Sequence, residues 1–446
     1  MRPMLERIFH VRALGSTPGR EVLGGLTTFL TMAYILAVNP VFLHAAGMPL
    51  AGAIAATAIA AAGATLLMAF LANYPIALAP GMGLNAFFAY TVCLGAKVPW
   101  PTALGLVFWS GVLFVLLTAT GARAVIVRAV PRVLTLAGAV GIGLFIAFIG
   151  LQQGGLVRAD PHTLVTLGDL ATGPARLTLC GLALTVALTA ARVPTAVFWG
   201  LAGTLAAGLA TGVVPPPSAI VSAPQLALPG LSIDLAGALE LRYAPLVLVM
   251  LFFALFDTLG TLMAIAHEAG FLRPAAGNGP GGEGLPRLER ALAADALGMV
   301  GGALAGTSTV TSYIESGAGV AVGARTGLAS VVTGLLLAAS LFFSPLVAAV
   351  GQGAGPGLNP VTAPALVLVG TLMVRVVREI EWEDPTEAAP AFLTAILMPL
   401  TFNITHGLAA GIVVYTLAKL AAGRRREIHP LIAVLAILFV LRYALW

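Results

Sequence analysis

Apolar positions in this chain do not alternate or recur on one face; they run on without interruption. Stretches such as "LTTFLTMAYILAVNPVFLHAA" and "APLVLVMLFFALFDTLGTLMAIA" have the length of about 17–25 residues that a helix needs to cross the hydrocarbon of a bilayer. Such runs fall at 23–45, 51–72, 84–96, 102–121, 132–150, 176–191 and 196–213, then at 244–268, 290–305, 311–322, 327–349, 361–378, 389–403 and 405–421. They predict fourteen membrane segments, several too short to cross alone. A fifteenth run at 429–445 follows Arg424, Arg425 and Arg426. By pattern it either spans the membrane or lies along its surface.

Composition agrees with the pattern. Of 446 residues, 59% are hydrophobic and 9% charged, against about 25% charged in soluble domains. A single soluble core also stops growing at about 250–300 residues. The fold class expected is therefore an all-α polytopic membrane protein. The formal charge of +5 is scattered through short loops, which orients a membrane protein and does not build a nucleic-acid surface. With the N-terminus cytoplasmic, the loops holding Arg123, Arg128 and Arg132, then Arg192, then Arg273, Arg287 and Arg290, then Arg375 and Arg378, then Arg424 to Arg426 all fall inside. The loops at 214–232 and 350–360, on the other side, carry no Lys or Arg. Cys93 and Cys180 lie within or beside predicted spans, so neither a disulfide framework nor a metal site is implied. The polar start, before a first apolar run long enough to remain as a span, leaves no cleavable leader.

The chain also repeats itself. "LTTFLTMAYI" from Leu26 aligns with "FDTLGTLMAI" from Phe256, at an offset of about 230 residues, matching Thr28 to Thr258 and Thr31 to Thr261. The same offset lays "APGMGLNAFFAY" on "TVTSYIESGAGV" and sets Asn85 opposite Glu315. Seven segments separate the copies, and an odd number inverts the second. Inverted repeats are a feature of secondary transporters, whose site lies where the halves meet. The expected organisation is an N-terminal segment at 1–22, a first seven-span repeat at 23–213 and an extracytoplasmic connection at 214–243. A second seven-span repeat at 244–421 and a basic-then-apolar tail at 422–446 complete it.

Two segments, the third and the tenth, hold too many glycines, prolines and hydroxyls to cross as regular helices. Each reads as an extended stretch followed by a half-helix, with backbone N–H groups and a positive helix end facing a cavity. Glu315 stands in the tenth, and Asp257 within the run at 244–268. An acidic residue at the bilayer centre costs about 2.5–3.5 kcal/mol, and Asp257 and Glu315 have no Lys or Arg in their spans as partner. Both are expected to be functional. Asp295, nearer a span end, reads as a solvated or paired acid close to the cytoplasm. A carboxylate accepts two parallel N–H hydrogen bonds, Asn85 offers a donor and an acceptor, and Phe87, Phe88, Tyr90 and Phe253 offer flat faces. This set suits a flat heterocycle with N–H donors along one edge and repels an inorganic anion.

"TTFLTMAYILAVNP", "APGMGLNAFFAYTV", "LFDTLGTLMAIAHEAGF", "GTSTVTSYIESGAGVAVGARTGL" and "PAFLTAILMPLTFNITHG" resemble the AzgA-type purine permeases of the nucleobase–cation symporter-2 family. The resemblance runs from about Glu21 to Gly423. It implies a seven-plus-seven inverted repeat with core and gate domains, a homodimer in the cell membrane, and import of hypoxanthine, guanine or adenine. The coupling ion it implies is a proton, with elevator-like movement of the core and no cofactor or metal. Carried residue by residue, its binding positions fall on Asn85, Asp257 and Glu315, with Tyr313 as a neighbour; Phe87 and Thr28 join the candidate set. One departure concerns coupling. Related permeases often carry a second acid three residues before the Asp of "FDT", and here that position is Ala254. Asp257 is then the expected coupling site on its own, and uncoupled facilitated diffusion is the alternative. Xanthine, uracil or anion transport on the same fold are further alternatives.

Other motifs fall away. "AHEAGF" lacks the second histidine of a zinc site, Phe271 standing in its place, and "GNGPGGEG" at 277–284 lacks the ending of a phosphate loop. His267 reads as a solvated or helix-capping residue, His406 as part of a polar turn, and the glycine-rich stretch as a flexible cytoplasmic linker. Asn39–Pro40 and Pro399 read as helix kinks. An intramembrane hydrolase would need a base beside the hydroxyls of "GTSTVTSY", and no His or Lys lies in a span near them. No enzyme is expected.

Overall fold

A computed structural model describes residues 2–121, 130–274, 283–355 and 357–445. The apolar runs fold as helices in the order expected. The first half holds α1 (Arg2–Phe9), α2 (Pro18–Met32), α3 (Ile35–Ala45), α4 (Leu50–Leu71), strand β1 (Leu78–Pro80), α5 (Met82–Ala86) continued by a π-helix over Phe87–Gly95, and α6 (Trp100–Thr120). It goes on through α7 (Arg132–Gln153), a hairpin of β2 (Val157–Asp160) and β3 (Leu164–Leu167), α8 (Gly173–Ala190) and α9 (Ala196–Ala210). The second half begins with α10 (Ala244–Ala269), then the short pair β4 (Arg273–Pro274) and β5 (Glu283–Gly284), α11 (Leu288–Ala305), β6 (Val310–Ser312) and α12 (Ser316–Ala321). It closes with α13 (Gly327–Ala339), α14 (Ser344–Gln352), α15 (Ala363–Val374), α16 (Pro385–Leu400), α17 (Ile404–Ala421) and α18 (Pro430–Leu445). Most of the glycine-rich linker, and Arg123 and Arg128, lie outside the described residues.

Eight of the described helices, taken with their direct continuations, are long and apolar enough to cross a bilayer. The chain is a multi-pass membrane protein. Of the remaining apolar runs, the segment expected at 84–96 is the fourteen-residue Met82–Gly95, α9 has fifteen residues, and the run at 311–322 is β6 followed by the six-residue α12. Local chemistry sets the starts. Thr17 caps α2 by accepting from Arg20 N at 3.3 Å, Thr326 caps α13 through Leu328 N, Asp384 caps α16 through Thr386 N and Asn403 caps α17 through Thr405 N. Each side-chain oxygen satisfies an N–H that the first turn leaves free.

The helices pack in two groups. In one, α4 lies against α3, α11 and α13, α6 against α10 and α11, and α2 against α12 and α13. In the other, α7 is surrounded by α15, α16 and α17, with α8 and α9 outside it and α18 against α17. The connection at 214–243 closes over one end of the first group: Asp234 accepts from the Thr102 hydroxyl at 2.9 Å and its N–H donates to Pro101 O at 3.1 Å. The groups meet through a few contacts of α5, its π-helical continuation and α9. On that seam the ring of Phe402 stands 5.4 Å from Tyr90 and 5.1 Å from Phe145, and Gln153 Nε2 donates to Tyr90 Oη at 3.1 Å.

Candidate functional site

The two segments that cannot form continuous helices lie side by side. β1 and β6 pair antiparallel, Leu78 opposite Ser312, Ala79 opposite Thr311 and Pro80 opposite Val310. The ladder is extended at both ends by Tyr313 N donating to Ala77 O and Gly81 N donating to Thr309 O, each at 2.9 Å. Pro80 has no N–H to give a helix, so the chain stays extended until Gly81 and α5 begins beyond it. Both segments therefore take the expected form of an extended stretch and then a helix. One expectation is corrected. The first N–H groups of α12 do not face open space: Ser316 N and Gly317 N donate to Tyr313 O and Ile314 O, because the chain enters α12 through a tight turn.

Asn85 and Glu315 sit just beyond the two strands. Asn85 is fully buried; its Oδ1 accepts from the Ser308 hydroxyl at 2.6 Å and its Nδ2 donates to Pro80 O at 3.3 Å. The same carbonyl accepts from Tyr313 Oη at 2.5 Å, so Pro80 O joins two of the candidate residues. Glu315 is the N-cap of α12 and half-buried. Its Oε1 accepts from Tyr34 Oη at 2.5 Å, and its backbone carbonyl accepts from Thr31 Oγ1 at 3.3 Å.

Asp257 lies midway along α10, yet its side chain is exposed. Gly260, Ala264, His267 and Glu268 are exposed as well and continue the same face to the helix end. That spacing of three and four residues makes one stripe, which leads from Asp257 to the end of α10 that carries the His267 and Glu268 side chains. Gly81 brings the backbone of α5 close to the acid: a Cβ there would lie 2.7 Å from Thr311 Oγ1 and 3.7 Å from Asp257 Oδ2. The buried Thr311 hydroxyl closes no hydrogen bond of its own, although the Asp257 carboxyl is its neighbour, and neither does that of Thr309.

Asp295 is the second correction. It is not solvated near a span end but fully buried, its Oδ2 accepting from Thr258 Oγ1 at 2.7 Å and its Oδ1 from Ser312 Oγ at 2.9 Å. One carboxyl thereby ties α11 to α10 and β6. The flanking "ALAADALGM", apolar and small on both sides, is the signal that marks it as interior. Asn39 likewise does more than accompany a kink at Pro40: its Nδ2 donates to Thr57 and Thr307 hydroxyls, each at 2.8 Å, and its Oδ1 accepts from Ser308 at 3.2 Å. Tyr34, Ser308, Thr309 and Thr311 are also brought to the centre without having been singled out. Tyr34 stands three residues after Thr31, on one helical face, which is a local clue; its partner 281 residues away is not.

Thr28 is buried beneath α12 against Gly319, whose absent Cβ would meet Thr28 Oγ1 at 2.2 Å, so its contact is with packing around the site. Phe87 is fully buried, with its ring centre 6.5 Å from that of half-buried Phe253. Among the described residues, no ion pair involves Asp257, Asp295 or Glu315. The centre thus presents carboxylate acceptors, two unengaged hydroxyls and one amide N–H to a ligand. A surface cleft of about 890 Å³ between Ile380, Trp382, Asp384 and Arg424 shares no residue with it.

A family model described as "Permease family" matches residues 19–410. A putative permease of Methanocaldococcus jannaschii is 48% identical over 98% of this chain and 98% of its own. The guanine/hypoxanthine permease PbuG of Bacillus subtilis is 44% identical, over 98% of this chain and 99% of its own. The adenine permease AdeP of Escherichia coli is 39% identical, over 98% and 96%. Among solved structures, the transmembrane domain of a cyanobacterial bicarbonate transporter, BicA, superposes with a TM-score of 0.61 at 15% identity, covering 88% of this chain and 97% of that one. The murine solute carrier 26 family member A9 anion transporter gives 0.61 at 11% identity, covering 94% and 72%. These two share the fold.

Proposed function

The chain belongs to this permease family, within the nucleobase–cation symporter-2 group, and from that premise we propose that it is a secondary transporter of purine nucleobases. The observation that supports the reading is the pairing of β1 with β6, which brings the segments carrying Asn85 and Glu315 together inside apolar packing, Asn85 and Tyr313 both donating to Pro80 O. A purine presents N–H donors and ring-nitrogen acceptors along its edges. Glu315 Oε2, not engaged by Tyr34, accepts a ring N–H; the free amide N–H of Asn85 and the hydroxyls of Thr309 and Thr311 meet ring or exocyclic acceptors. Half-buried Phe253, with Phe87 packed 6.5 Å from it, offers the aromatic face of this plan. The names of PbuG and AdeP support a purine, and the carboxylates oppose an anion despite the shared fold.

The antiparallel strands support an inverted seven-plus-seven repeat, with fourteen crossings before the tail, and the two packing groups support a core that moves against a gate in an elevator-like step. In this arrangement the N-terminus is cytoplasmic. The exposed stripe from Asp257 to Glu268 then opens toward the cytoplasm, and the contacts of Phe402, Tyr90 and Gln153 close the other side. Asp257, exposed on that stripe and without an ion-pair partner, is the proton-coupling residue of this reading. A homodimer in the cell membrane is part of it.

The test is uptake of labelled hypoxanthine by cells expressing the chain, competed by unlabelled purines and pyrimidines. Purines alone should compete, and cytosine or uracil winning would sink the assignment. Collapse of the proton gradient by a protonophore should stop accumulation; uptake undiminished in its presence means a facilitator, for which Ala254→Asp is the comparison.

A further inference from the structure

Residues 427–443 retrace α17 from one end to the other. At the near end Glu427 is tied to the last turns of α17: its Oε2 accepts from Lys419 Nζ at 2.6 Å and its carbonyl from Tyr415 Oη at 3.3 Å. At the far end the ring of Tyr443 stands 5.8 Å from that of His406, the third residue of α17. Between them Ile432, Ala436 and Phe439 of α18 are buried in one cluster with Ala409, Ile412 and Tyr415 of α17. The turn that starts this return is clasped. Lys419, 1% exposed, pairs with Glu387 and Glu427 at 2.6 Å each, and Arg424 pairs with Asp384 at 2.5 Å.

The opposite face of α18 is an uncovered apolar stripe. Val434, Ile437, Leu438 and Leu441 are 52%, 59%, 55% and 48% exposed, at a spacing of three and four residues. No charged residue interrupts 430–441. α17 is itself long and apolar enough to span, and a helix lying along a spanning helix from end to end shares its depth. A helix resting on the membrane surface would cross it at one end only.

We propose that α18 is an additional membrane crossing whose outer stripe meets lipid acyl chains. The C-terminus then emerges on the face of the 214–243 connection, opposite the N-terminus. Sixteen residues rise about 24 Å, short of the roughly 30 Å of hydrocarbon. Local thinning of the bilayer and polar flanks accommodate a shortfall of this size, and Arg424 to Arg426 at one end are placed for it. The occupant is lipid and not a second copy, because the exposed face, Val440 included, is wholly apolar and continues over the depth of α17.

The full chain is fused at its C-terminus either to alkaline phosphatase, active only outside the cytoplasm, or to green fluorescent protein, fluorescent only inside it. Phosphatase activity with no fluorescence is expected, and the same fusions made after Gly423 should give the reverse. Fluorescence from the full-length fusion overturns the proposal. Independently, a nitroxide at Ile437→Cys, with Cys93→Ala and Cys180→Ala, reports which medium covers the stripe. In liposomes molecular oxygen should relax it at least several-fold more than a water-soluble nickel chelate. Shielding from both would mean a second copy covers the stripe, and preferential relaxation by nickel would place it at the surface; either result overturns the proposal.

Discussion

Tyr34 donates a 2.5 Å hydrogen bond to Glu315 Oε1, joining the start of α3 to the cap of α12. One oxygen of the carboxylate is therefore engaged before any ligand arrives. In the proposed function the second oxygen is the one that takes a ring N–H, and the phenol holds its direction.

This geometry separates two substitutions. Hydrogen bonds to a charged group contribute about 1.5–3 kcal/mol, so Tyr34→Phe should weaken apparent purine affinity by roughly 10-fold or more while transport persists. Glu315→Gln removes the acceptor itself and should abolish uptake at the same substrate concentration. Concentration-dependent uptake by the two variants reads the difference; equal, near-normal uptake by both would remove Glu315 from the site.

Asp295 acts through position. Asp295→Ala leaves the buried hydroxyls of Thr258 and Ser312 without their acceptor, and each unsatisfied buried group costs about 1–3 kcal/mol. The purified variant should melt several degrees below the wild type in detergent, with Asp295→Asn falling between them. An unchanged melting temperature for the alanine variant would contradict the clamp.

Two glycines should fail differently. A methyl at Gly81 points between Thr311 Oγ1 and Asp257 Oδ2, both side-chain atoms, so Gly81→Ala should lower uptake and leave folding nearly unchanged. A methyl at Gly319 would meet the backbone oxygen of Gly24 at 2.6 Å as well as Thr28 Oγ1. Backbone cannot rotate away, and Gly319→Ala should reduce membrane abundance and melting temperature. Western blotting beside uptake distinguishes the two.

Asp384 supplies a pH dependence outside the apolar spans. Hydrogen bonds from the Thr386 side chain and backbone, and then Arg424, bring its carboxyl down to about 2. The folded value is below the unfolded one, so its stabilisation is present above about pH 4 and is lost as pH falls toward 2. The melting-temperature gap between wild type and Asp384→Asn should be full near neutrality and close across that window. A gap independent of pH would exclude ionisation as its source.

The layout of helices was legible because continuous apolar runs have few other fates in a chain with so little charge. Asn85, Asp257 and Glu315 stood out as candidates for the converse reason: a polar group amid such runs is costly unless used. Tyr34 and Asp295 were harder. A tyrosine in an apolar segment looks like packing until its distant acceptor is located, and Asp295, read as nearer a span end, looks solvated until Thr258 of α10 and Ser312 of β6 are found donating to it. The direction of the tail was illegible for a similar reason. An apolar run of that length fits either a crossing or a surface helix, and the return along α17 depends on the Lys419 and Arg424 pairs, which no local pattern encodes.

The ladder between β1 and β6 has a mechanical consequence. Its strands come from opposite halves of the chain and share backbone hydrogen bonds, so neither can slide past the other without breaking them together. In the proposed function, a displacement that carries a ligand across the membrane takes the segments of Asn85 and Glu315 along together. In the proposed transporter, the arrangement that selects a ligand would then travel with it, with discrimination set at entry and kept until release.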